Sequence, residues 1–95
     1  MKKITLTAAS WKTPGDAHQA LKEALGFPEY YGNNLDALHD CLTEMTDTCI
    51  IIEECAKASE QMGEKWSKFL MVFFDACSEN ETLDIQLVQG SGDYV

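Results

Sequence analysis

From Lys3 to Ala8 apolar and polar positions alternate, with Ile4, Leu6 and Ala8 on one side, the period of a strand that buries one face. The period then turns helical. Thr13-Pro14-Gly15-Asp16 reads as a helix start, with Thr13 as N-cap, Pro14 at the first helical position and Asp16 in the first turn. Ala17, Ala20, Leu21, Ala24 and Leu25 form the apolar stripe of this helix, and Gly26 stops it. Phe27-Pro28 then forces an extended step, because the residue before proline is biased away from helix. Asn34 caps a second helix, in which Leu35, Leu38, Leu42 and Met45 share one face.

Cys49 to Ile52 is a short, β-branched, nearly all-apolar run, the pattern of a central strand buried on both faces. A helix is predicted from Ala56 to Met62, stopping at Gly63. Beyond it Trp66, Phe69, Leu70, Phe73 and Cys77 trace another helical stripe. Leu83, Ile85 and Leu87 alternate as the last strand. The order is β-α-α-β-α-α-β, and roughly 30 to 40 residues between strands leave room for each crossover that parallel pairing requires. The fold class is therefore α/β, a three-stranded parallel sheet with four helices packed on it. Ninety-five residues make one domain, 1–95, of which the small and polar stretch 90–95 is expected to be a loose tail.

Charge changes this picture from a fold to a surface. The formal net charge is −9, and between Lys22 and Lys57 there are eight Asp and Glu and no Lys or Arg. On the second helix Asp36, Asp40 and Glu44 line up opposite the leucines at i, i+4 spacing. Like charges so spaced cost an isolated helix about 0.2–0.5 kcal/mol per pair, so the ladder is mildly unfavourable for the free protein; it reads either as the solvated face of the helix or as a surface that something outside the chain compensates. Tyr30 and Tyr31, just before it, add large rigid contact area beside the charge. All seven basic residues are Lys, so the chain has no guanidinium fork, and its net charge repels nucleic acid and anionic membranes. The expected partner is a basic protein.

Other chemistries fit less well. Asp36 and Asp40 as an acid and base pair would sit on successive turns of an exposed helix, with nothing to raise one pKa selectively, so no enzyme is predicted. His18, His39 and the four cysteines show no HxxxH, CxxC or Cys-His ligand spacing, so neither metal nor cofactor is expected. Cys41, Cys49, Cys55 and Cys77 read as reduced thiols of a cytoplasmic protein. No apolar run of signal-peptide or bilayer-spanning length occurs.

The stretch from Phe27 to Thr43, FPEYYGNNLDALHDCLT, strongly resembles the signature of the barstar family of intracellular inhibitors of barnase-type ribonucleases. Val72-Phe73-Phe74-Asp75-Ala76 resembles the part of that family's fourth helix that carries another interface acid. The resemblance implies the same parallel sheet, and inhibition by plugging the nuclease's basic groove one-to-one, with acids standing where RNA phosphates would lie. By this likeness Asp40 is the central phosphate mimic, Asp36 pairs with a neighbouring cation, and Tyr30 stacks on the nuclease's catalytic histidine. Tyr31, Gly32, Asn34 and Leu35 belong to the same contact surface, Thr43 touches a lysine, and Asp75 adds a flanking charge. His39 and Met45 stand where the family's prototype has tryptophans, which directs the expectation to a ribonuclease other than barnase itself. His39, beside Asp36 and Asp40, is expected to gain a proton readily and to weaken the acidic footprint as pH falls. The free protein is expected to be a monomer. The alternative reading is an immunity or binding module of the same fold for another basic protein or a non-ribonuclease toxin.

Overall fold

Ile50 pairs with Ile4 on one side and Ile85 on the other, and this row of isoleucines marks the middle of a parallel sheet. The structure, a computed structural model, describes residues 1–90. Its strands are β1 (Lys2–Thr7), β2 (Thr48–Glu53) and β3 (Leu83–Leu87), in the spatial order β1-β2-β3. The helices are α1 (Pro14–Leu25), α2 (Leu35–Glu44), α3 (Cys55–Met62) and α4 (Glu64–Glu79). Element order, parallel pairing and the central place of β2 all agree with the hydrophobic pattern.

Local chemistry sets the helix limits. At Thr13 the hydroxyl accepts from the Asp16 N–H at 3.2 Å while the Asp16 carboxylate accepts from the Thr13 N–H at 3.2 Å, a reciprocal cap on α1. Gly26 ends that helix with φ 68°, a left-handed conformation that glycine adopts without a Cβ penalty. At the start of α3 no side chain caps the helix. Instead the N–H groups of Glu54, Cys55 and Ala56 donate to the carbonyls of Gly90, Val88 and Gln89 at 2.8–3.0 Å, so the chain after β3 satisfies them. Gly90, where the loose tail was expected to begin, is thus tied down. The rest of that expectation, 91–95, lies outside the described residues.

The helices cover one face of the sheet. Ile50 and Ile52 share a single core with Leu21 of α1, Leu38 and Leu42 of α2, Ala58 and Met62 of α3, and Trp66, Phe69 and Phe73 of α4. The other face carries the rows Lys3-Cys49-Asp84 and Thr5-Ile51-Gln86. Cys49 is nevertheless buried, because the side chains of Asp84 and Gln86 lie over its Sγ at 3.7 and 3.6 Å. The burial of β2 expected on both faces is therefore complete on the helix side and partial on the other, where polar neighbours cover Cys49 and Ile51 is half-buried. All four cysteines are free thiols, and burial pushes each of them up from its ordinary pKa. Among the described residues no helix is long and apolar enough to cross a membrane.

Candidate partner-binding site

α2 is pinned at three places, and its outer face follows from them. Leu38 and Leu42 are fully buried, worth roughly 1.5–3 kcal/mol each, so the side of the helix that turns to the core is not negotiable. At the N-terminus the Asn34 carboxamide accepts from the Ala37 N–H at 2.8 Å. Gly32 makes this cap sterically accessible, since a Cβ there would lie 2.8 Å from the Asn34 amide nitrogen. At the C-terminus the buried Asn80, one residue past α4, donates from Nδ2 toward the carbonyls of Leu42, Thr43 and Met45 at 3.2, 3.2 and 2.6 Å. Its Oδ1 accepts from the backbone and hydroxyl of Thr82. The Met45 N–H also donates to the Leu42 carbonyl at 3.3 Å, and together these bonds serve the carbonyls that the last turn of an α-helix leaves over.

With that orientation Asp36, Asp40 and Glu44 are exposed, as their spacing predicts. Among the described residues α2 makes ion pairs only through His39, to Asp40 and to Glu79. Tyr30 is 89% exposed and stands beside the acids. Pro28, Tyr30, Tyr31, Ala37, Asp40, Cys41 and Glu44 line an open cleft of about 560 Å³. The acid face is consequently not the purely convex surface that helix geometry alone suggests; it forms one wall of a recess whose other wall is the loop before α2.

The remaining expected site residues divide by burial. Tyr31 is only 6% exposed and packs into the core, while its exposed edge helps to line the same cleft. Its hydroxyl shares a 2.6 Å hydrogen bond with His18 Nδ1, and its ring lies 5.0 Å from that of Phe27. Burial pushes the Tyr31 phenol above its ordinary range and lowers the pKa of His18, which keeps the imidazole neutral. Leu35 and Met45 are half-buried against the core, and Met45 is also the C-cap of α2. The Thr43 hydroxyl donates to the Asp40 carbonyl at 2.9 Å. Asp75 is exposed on α4 one turn before Glu79, which places it on the flank that meets α2.

His39 bears out the expected rise in pKa, but only Asp40 of the two expected causes contributes to it, and not as the largest. The leading cause is the hydrogen bond from Nε2 to Glu79, a residue of α4; Asp40, 3.8 Å from Nδ1, is secondary, and Asp36 makes no contact with the ring. Glu79 was missed because it is forty residues distant, although its i+4 relation to Asp75 is a usable signal. His18 was missed for another reason: polar residues are not counted into an apolar stripe, yet it lies three residues before Leu21 and in phase with it.

Fold and site together define a small two-layer α/β domain that presents an exposed acidic helix beside an aromatic-walled cleft. The family described as "Barstar (barnase inhibitor)" matches residues 1–89, and the chain belongs to that family. It is also similar to a Bacillus subtilis (strain 168) protein named "Putative ribonuclease inhibitor YrdF", with 47% identity over 47 residues. That match covers 50% of this chain and 52% of the relative, so the chain spans about half the length of the curated relative it matches.

Proposed function

We propose that the protein inhibits a basic ribonuclease of the barnase type, binding it one-to-one through the exposed face of α2 and the loop before it. Family membership and the name of the relative support an inhibitor role. The observation that carries the mechanism is the exposed ladder of Asp36, Asp40 and Glu44, with no lysine paired to it among the described residues, beside the exposed Tyr30 ring. A groove built to hold RNA phosphates presents converging cations, and this ladder presents converging anions at the spacing of a helix turn. Asp40 and Glu44 on one wall of the cleft and Tyr30 on the other suit a cationic side chain, through charge-assisted hydrogen bonds and contact with the ring face. Opposite fields steer encounter, so association is fast and weakens with salt, behaviour for which the barnase–barstar pair is itself a standard example.

Calorimetric titration into a barnase-type ribonuclease, paired with an RNA-cleavage assay, tests the reading. Asp40→Ala leaves a nuclease cation buried and unpaired and should cost more than about 2 kcal/mol, while Glu44→Ala, a turn farther along, costs much less. Equal losses would mean that general acidity and not docked geometry carries binding. Absence of binding to any such nuclease would move the function to another basic protein.

A further inference from the structure

His39 sits inside the proposed contact face, and its two ring nitrogens meet different groups. Nε2 is within hydrogen-bond distance of the Glu79 carboxylate, which reaches it from α4. Nδ1 lies 3.8 Å from Oδ1 of Asp40, the next residue on α2. The side chain is 31% exposed, beside Asp40 at 81% and Glu79 at 57%, so a partner docked on α2 can touch all three. Asp36 on α2 and Asp75 on α4 are the other acids flanking the ring. The lysine of α4 in phase with Glu79 is Lys68, eleven residues earlier and roughly 16 Å along the axis.

Glu79 decides what the ring can do. An ionised carboxylate only accepts, so the nitrogen it faces carries a hydrogen in both the neutral and the charged ring. The neutral ring is therefore the Nε2–H tautomer, with a lone pair on Nδ1. The proton that titrates is added at Nδ1, on the side of Asp40. Glu79, and after it Asp40, favour that second proton in the free protein against the desolvation of the ring.

We propose that neutral His39 is itself a contact residue: Nδ1 and the Asp40 carboxylate together accept N–H groups of one cationic side chain of the partner, while Glu79 holds the tautomer that leaves Nδ1 free. The proposal rests on the inhibitor reading and refines it to the protonation state of one ring. A guanidinium, with five N–H groups in a rigid fork, meets both acceptors without reorienting. Asp40 has two carboxylate oxygens, so it serves the ring side and the cleft beside Tyr30 together. A second proton on Nδ1 turns that acceptor into a donor aimed at the incoming cation, so docking and protonation exclude each other. Docking therefore expels at most one proton per complex, and below the pKa of the free ring the dissociation constant rises by up to about tenfold per pH unit.

The test is a pH titration of the imidazole nitrogen resonances of the isotope-labelled full chain, free and bound to a barnase-type ribonuclease, with His18 set apart by His39→Gln. The free ring should show the Nε2–H tautomer and take up a proton as pH falls. In the complex it should stay neutral, in the same tautomer, at pH values where the free ring is charged. Glu79→Gln, whose carboxamide can donate as well as accept, should let the Nδ1–H tautomer appear in the free protein. Calorimetry in two buffers of different ionisation enthalpy should count the expelled proton, and His39→Gln should expel one fewer than the natural chain. A charged His39 in the complex overturns the proposal while the inhibitor reading stands. So does a bound ring carrying its hydrogen on Nδ1, a tautomer indifferent to Glu79→Gln, or a proton count that His39→Gln leaves unchanged. Absence of binding to such a nuclease removes the inhibitor reading and the proposal with it.

Discussion

Asn80→Ala should be among the most damaging single substitutions outside the apolar core. The Asn80 Nδ2 group lies within hydrogen-bond distance of three carbonyls at the end of α2, and its Oδ1 receives two bonds from Thr82. One carboxamide has two N–H groups, so two net bonds of about 1 kcal/mol each are lost to the carbonyls, together with the acceptor that Oδ1 offers the Thr82 N–H and hydroxyl. The sum is about 3 kcal/mol, against about 5–14 kcal/mol for the total stability of a domain of this size. Asn80→Asp is the sharper control. It keeps the acceptor for Thr82 but turns a carboxylate toward carbonyl oxygens, so it should destabilise more than Ala does. Urea unfolding measures both, and amide exchange at the C-terminal turn of α2 should quicken before global unfolding. A loss below about 1 kcal/mol for Asn80→Ala, or a wild-type midpoint for Asn80→Asp, would refute the view that this carboxamide clamps α2 to the end of α4.

Two further expectations concern titration. Glu79 holds the His39 pKa above its ordinary value, so nuclease affinity should fall as pH drops through that raised pKa and a cation forms beside Asp40; His39→Gln should flatten the profile and Glu79→Gln should move its midpoint down, whereas identical profiles would point to the nuclease's own groups. Because the folded pKa is the higher one, His39's contribution to stability is complete below the unfolded value near 6.5 and is lost as pH rises through the folded value. His18 has the opposite sign: burial lowers its folded pKa, so stability falls as pH drops below 6.5, and chemical denaturation of His18→Gln at several pH values should show a flatter acid limb. Tyr31→Phe leaves the imidazole without its hydroxyl partner and should cost about 1–3 kcal/mol by the same measurement.

Much of this protein is determined locally. The Thr13 cap, the Gly26 and Gly63 stops, the leucine stripe of α2 and the all-apolar run of β2 are decided by steric and solvation preferences that act over a few residues, and each is legible without coordinates. The outward turn of Asp36, Asp40 and Glu44 is legible for the same reason: once the leucines face the core, a period of 3.6 leaves the acids no other side. Long-range pairing is different. That Tyr30 is exposed while Tyr31 is buried depends on where His18 and Phe27 arrive from α1 and the loop after it, and the two tyrosines are indistinguishable in the chain. That His39 answers to Glu79, and that Asn80 holds the end of α2, depends on the packing of α2 against α4 across some forty residues. The polar cover over Cys49 arises only when the strands take their places in the order β1-β2-β3. Period and propensity set which side of an element is inward; which partner waits there is decided by the closure of the whole sheet and its helices.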